Sequence, residues 1–186
     1  IKDLIIGIKD NLSQEQLEVL ASTAISKMSD DDAIVYLLVE IKDNISQDQL
    51  YKFASIAINK MSDIHNSEYQ IKELIIGIKD KLSPDQLAEL ALTAITKRSD
   101  KYMIKELIIG IKDNLSQEQL AEFASTAITK MSDEYRIKDL IIDIKVHVTP
   151  EQLAELATTA ITKMSDEYWI QELIKDIKGQ VSPEQY

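Results

Sequence analysis

The chain has 186 residues, 45% of them hydrophobic, with a formal net charge of −11 and no cysteine. That composition excludes a chain disordered throughout, a disulfide scaffold and a thiolate metal site. Its sign opposes the Lys- and Arg-led contacts that hold nucleic acid or anionic lipid. No apolar run approaches the roughly 18–20 residues that span a bilayer, so a soluble chain without membrane contact is expected, with an intracellular setting favoured.

The first stretch, IKDLIIGIKD, carries charges at helical spacing and reads as an amphipathic helix rather than a signal peptide. A second helix opens at Ser13 with SQEQ. A Ser N-cap with Gln three positions on is a capping box. The same phrase returns at Ser46, Ser83, Ser116, Thr149 and Ser182, at spacings of 33, 37, 33, 33 and 33 residues. The longer interval holds four extra residues at 64–67. The chain therefore reads as a single repeat array over residues 1–186, of period 33 with one loop insertion.

Each repeat holds two helices. In helix A (IKELIIGIKD, 71–80), Ile71, Leu74, Ile75 and Ile78 fall at i, i+3, i+4 and i+7. In helix B (SPDQLAELALTAITK, 83–97), Leu87, Leu90, Ala91, Ala94 and Ile95 repeat that spacing. Pro84 and Pro150 stand at the first helical position, where a missing N–H is harmless. The Ser–Asp pair of the B–A junction can cap the next A helix. Strand patterns are absent. This predicts about eleven helices, the last vestigial. The chain begins without Met and stops at SPEQY, which reads as a piece cut from something longer. Near-identical copies suggest a consensus design, while the insertion and phrases such as KRSDKYM argue for a natural chain.

A two-helix unit of this length cannot bury its own apolar face, whereas stacked neighbours can. The expected fold is all-α, a right-handed α-solenoid of two-helix repeats. In this the chain resembles the HEAT, armadillo and tetratricopeptide-type arrays, without the tetratricopeptide Trp, Gly-Tyr and Pro positions or the ankyrin phrase T-P-L-H. The stretch LSPDQLAELA (82–91) also looks like the first helix of transcription activator-like effector repeats, which bind DNA. Those repeats read bases from a Gly-rich loop, and ITKRSD here has no Gly.

Paired alanines on every complete B helix (Ala54/Ala57, Ala91/Ala94 and their equivalents) predict a tightly packed B layer lining the inner face. Its solvent side carries Lys52, Glu89, Glu122 and Glu155 in one row, followed by rows of Ser and Thr such as Ser125 and Thr162. That face is a candidate groove for a peptide or basic partner, weighed against a merely solvated surface. On helix A, the pairs Tyr69/Ile76, Tyr102/Ile109 and Tyr135/Ile142, ending in Tyr168/Lys175, form a second stripe, read chiefly as packing against neighbouring repeats. An acidic row (Asp3, Glu73, Glu106, Asp139, Glu172) borders a position that is Gly7, Gly77 and Gly110 in some copies and Glu40, Asp143 and Asp176 in others. The i,i+4 carboxylate pairs there read as a solvated face, offset by Lys105, Lys112, Lys138 and Lys145. The residue after the Tyr varies through Gln70, Met103, Arg136 and Trp169. It reads as a rim position that packing does not dictate, where partner choice could be written, with Trp169 as the anchor.

His65 and His147 have no ligand-spaced companions, and no nucleophile elbow or phosphate loop occurs. An array spreads equivalent residues along a line, whereas catalysis needs different groups converging on one point. The expectation is a non-enzyme without metal or cofactor: a protein- or peptide-binding scaffold. Self-association through the repeat ends is the alternative, and nucleic-acid binding ranks last.

Overall fold

The computed structural model describes residues 1–61, 67–97 and 101–181, apart from the side chains of Lys97, Lys101 and Tyr102. His65, most of the insertion and the vestigial helix expected at Ser182 lie outside the described residues. Within them the chain is all-α, with eleven α-helices and no strand. It divides into two compact units, Ile1–Arg98 and Ser99–Tyr186.

The first unit holds α1 (Lys2–Ile8), α2 (Gln14–Lys27), α3 (Asp31–Ile41), α4 (Gln47–Met61), α5 (Glu68–Ile78) and α6 (Pro84–Lys97). The second holds α7 (Lys101–Ile111), α8 (Gln117–Lys130), α9 (Glu134–Ile144), α10 (Pro150–Lys163) and α11 (Glu167–Ile177). Odd-numbered helices are the A segments and even-numbered ones the B segments. The A helix starts earlier than its apolar pattern suggests, at Glu68 in α5, and its IKD end tightens into a 3-10 turn after α1, α5 and α7.

Local chemistry sets the boundaries. Ser13, Ser116 and Thr149 form complete capping boxes with Gln16, Gln119 and Gln152. At Ser83 the two reciprocal bonds to Gln86 are both 3.2 Å. Asp30 accepts from the Ala33 amide, Asp133 from Arg136 and Asp166 from Tyr168, so the aspartate of the junction caps the next A helix. Ser67 takes the aspartate's place before α5. It is buried, and its hydroxyl instead donates to Asp31 Oδ2 at 2.5 Å.

Within each unit, A helices pack on A helices and B on B. In the first, α3 lies between α1 and α5, and α4 between α2 and α6; in the second, α9 lies between α7 and α11, and α8 packs on α10. The shared core takes Leu37, Leu38 and Ile41 from α3 and Leu74, Ile75 and Ile78 from α5, all with no accessible surface. Ala54, Ala57, Ala91 and Ala94 are equally buried. Small residues there let B helices approach closely, as the interaxial distance follows side-chain size at the contact.

Lysines of the repeating phrase tie adjacent A helices together. Lys9 Nζ donates to the Glu40 carbonyl at 2.7 Å and Lys42 to Gly77 at 2.8 Å; in the second unit Lys145 donates to Asp176 at 3.1 Å. These acceptors belong to the last turn of a helix, whose carbonyls lack intrahelical partners and favour a cation. The lysine ending helix B acts likewise. Lys60 reaches the carbonyls of Ile25 at 2.8 Å and Ser26 at 3.2 Å, and Lys163 reaches that of Thr129. Burial holds the Lys163 ammonium below the ordinary lysine range.

The glycines in the last turn of helix A are not equivalent. A Cβ on Gly77 would stand 2.6 Å from Val39 Cγ2 of α3, while one on Gly7 would meet nothing within 4 Å. Val39 occupies the place of Ile76 in its own repeat, so this part of the second stripe packs on the next A helix, as the packing reading expects. Alanine in a helix interior is favoured over glycine by up to about 1 kcal/mol. We therefore expect Gly7→Ala to raise stability and Gly77→Ala to lower it, with Val39→Ala rescuing the latter. Urea unfolding of the variants checks this.

Candidate functional site

Between successive B helices each unit carries a surface cleft at the same place in the repeat. In the second unit it lies between α8 and α10, has a volume of about 410 Å³, and is lined by Glu118, Glu122, Ser125, Glu155, Leu156 and Thr159, among others. In the first it lies between α2 and α4, measures about 470 Å³, and is lined by Glu15, Glu18, Val19, Ser22, Gln49 and Phe53, among others. Glu118 corresponds to Glu15, Ser125 to Ser22 and Leu156 to Phe53. The design is shared: carboxylates and hydroxyls on the walls, one large apolar side chain at the base, and no cation lining either cleft.

Glu122 and Glu155, both exposed, are brought together in the second cleft. Lys52 and Glu89 are exposed on the first unit but line neither cleft. Glu89 accepts a bond from the Tyr51 hydroxyl, which holds that phenol above its usual range. Glu15, Glu18 and Glu118 were missed in the sequence because they sit in or beside the capping phrase and were absorbed into its local role. Glu18 also accepts from Gln14 Nε2 at 2.9 Å.

The variable line after the Tyr is not evenly exposed. Met103 is buried at 5% exposure, and Gln70, Arg136 and Trp169 are half-buried. Gln70 Nε2 donates to Asp32 at 3.2 Å, and Arg136 lies 3.8 Å from Asp133. The Trp169 ring sits 5.3 Å from that of Tyr135 and 4.8 Å from that of Tyr168. These residues are therefore held by their neighbours and do not form one free row. Taken alone, an A helix leaves these positions at its rim; the adjoining A helix reaches Gln70 and Trp169.

The Tyr half of the second stripe is corrected in the opposite direction. Tyr69, Tyr135 and Tyr168 are exposed at 60%, 47% and 60%, while Ile76, Ile109 and Ile142 are half-buried. Lys2 lies 4.8 Å over the Tyr36 ring and Lys72 4.7 Å over Tyr69. Tyr102 lies outside the described side chains.

The carboxylate pairs of helix A meet lysines of the preceding A helix. Lys105 contacts Asp139 and stands 3.0 Å from Asp143, and Lys138 is 3.1 Å from Asp176. Burial works against the charge on Lys105, but the two aspartates outweigh it and hold the ammonium above the usual lysine range. His147 Nδ1 lies 3.6 Å from Asp113 Oδ1, a companion 34 residues away in sequence. Among the described residues no group of three or more His, Asp or Glu is arranged to hold a metal ion, and no helix is long and apolar enough to cross a membrane.

Glu134 closes the junction into α11. Its Oε1 accepts from the Ser165 amide at 2.8 Å and the Ser165 hydroxyl at 2.9 Å, and its Oε2 from the Asp166 amide at 3.0 Å. The Ser165 amide is the main cause that holds this carboxyl below its ordinary value of 4.5. A depressed carboxyl stabilises the fold above its unfolded pKa, and that contribution is lost as pH falls through the folded one. Glu134→Gln is therefore expected to melt below the parent at pH 7 and alongside it at pH 2–3, by calorimetric scans.

No protein-family model matches the chain, and no curated protein is detectably similar to it in sequence. What the geometry defines is a class: an all-α protein of paired helices, with acidic clefts at equivalent places in its two units.

Proposed function

We propose that the protein is a non-catalytic scaffold, an α-solenoid of tandem helical hairpins with a 33-residue period, that binds an extended basic segment of a partner protein along its B helices. The observation that carries this reading is the recurrence of the cleft at one repeat position in both units. Carboxylates on its walls suit Lys or Arg heads, hydroxyls suit a peptide backbone, and the Leu156 or Phe53 base suits the aliphatic stems of those side chains. Stacked repeats offer extended surfaces of this kind. The net charge of −11 adds long-range attraction for a cationic partner and repulsion of nucleic acid.

Fluorescence anisotropy with a labelled Lys/Arg-rich peptide and an acidic peptide of equal length tests it. The basic peptide should bind, and its affinity should fall as salt rises. Equal binding of both peptides, or salt-independent binding, contradicts the reading.

A further inference from the structure

The first unit has a second junction between successive B helices, α4 against α6, at the same repeat position as the two clefts. Its residues differ in kind. Lys52 stands at the place of Glu122 and Glu89 at that of Glu155, so one wall carries an ammonium where the α8/α10 cleft carries a carboxylate. Tyr51 stands at the place of Ala121. Its hydroxyl donates to Glu89, crossing from α4 to α6. About one turn earlier the same two helices are bridged again. Gln86 Nε2 donates to Asp48 Oδ1 at 3.0 Å, and Gln86 Oε1 accepts from Gln47 Nε2 at 2.8 Å. The equivalents of Asp48 and Gln86 line open space in both clefts, as Glu118 with Gln152 and as Glu15 with Gln49.

We propose that Tyr51 and Lys52 are specificity-determining residues that withhold the α4/α6 junction from the basic segment, so that the first unit takes a Lys or Arg head between α2 and α4 and not between α4 and α6. The inference rests on the basic-segment reading above and adds where along the B helices that segment is refused. A cationic head reaching Glu89 must displace the Tyr51 hydroxyl from the carboxylate and approach the Lys52 ammonium. An acceptor already occupied and a like charge beside it both act against the wrong occupant. The tyrosine ring also takes up space that the Ala121 methyl leaves free in the α8/α10 cleft. Two adjacent residues on one helix thus turn a repeated acidic cleft into a junction closed to cations.

Amide NMR shifts and anisotropy of the full chain, titrated with the Lys/Arg-rich peptide, test this. In the parent, Gln86, Glu89 and Thr93 should stay still while Glu122 and Glu155 move. Tyr51→Ala with Lys52→Glu gives α4 the residues that α8 carries at 121 and 122. Tyr51 is half-buried and Lys52 exposed, so the fold should be kept, which circular dichroism checks. In that variant Gln86, Glu89 and Thr93 should respond to the peptide, and affinity at low salt should rise about tenfold. Lys52→Glu alone should gain only about threefold, because Glu89 stays on Tyr51. The proposal is overturned if Glu89 responds in the parent as strongly as Glu122, or if Lys52→Glu alone matches the double variant. If the double variant loses helicity, Tyr51→Phe with Lys52→Glu replaces it, removing the bond and keeping the ring, and the same outcomes decide. A parent that binds the peptide while the double variant gains nothing fails this inference alone. No binding by parent or variant fails the basic-segment reading as well.

Discussion

Leu37→Ala is expected to destabilise the protein by about 3 kcal/mol, within the range for truncating a fully buried leucine. Leu37 has no accessible surface, and its helix, α3, is packed on both sides, by α1 and by α5. Removing its branched end leaves a hole that neither neighbour can close, because each is held to α3 by a lysine on a fixed carbonyl. Leu4 occupies the same place in the repeat but is exposed. Leu4→Ala is therefore expected to change stability by no more than about 0.5 kcal/mol. Urea unfolding of both variants at low protein concentration measures the contrast. Equal losses would mean that place in the repeat, and not the neighbour it meets, sets the energetics.

Reversing two charges in the second cleft, Glu122→Lys with Glu155→Lys, is expected to weaken the basic peptide about 30-fold at low salt. Each reversal replaces an attraction by a repulsion of order 1 kcal/mol in a partly solvated cleft, and 1.4 kcal/mol is tenfold in affinity. Both carboxylates are exposed, so the fold should tolerate the change. Glu89→Lys is the control. Glu89 shares their sequence row but lines neither of these two clefts, and its carboxylate already serves Tyr51. That variant should lose the Tyr51 bond and keep peptide affinity within about twofold of the parent's. Anisotropy titrations with the same peptide measure all three.

Much of the fold was legible because its signals are local. A capping box spans four residues, and an apolar stripe shows itself within two turns, so helix starts and core faces could be read from single repeats. What escaped depends on partners about one repeat away. The lysines of the repeating phrase looked like surface charges, and only packing shows Lys42 on the Gly77 carbonyl or Lys105 between Asp139 and Asp143. The same distance hid the packing of the Trp169 ring on Tyr135. Glycine was ambiguous for the same reason, since Gly7 and Gly77 share a frame and differ only in what lies opposite. Of the candidate site, Glu122 and Glu155 were found because they sit on the solvent side of an evident helix. Glu118 needed the neighbouring helix to reveal its cleft.

The central claim is that partners bind in the clefts between successive B helices. Amide NMR shifts of the labelled protein, followed during titration with the basic peptide, test it most directly. The account predicts that the largest changes fall on Glu118, Glu122, Ser125, Gln152 and Glu155, with matching changes at Glu18, Ser22 and Gln49. Changes concentrated instead on the A helices, around Tyr69, Arg136 and Trp169, would contradict it.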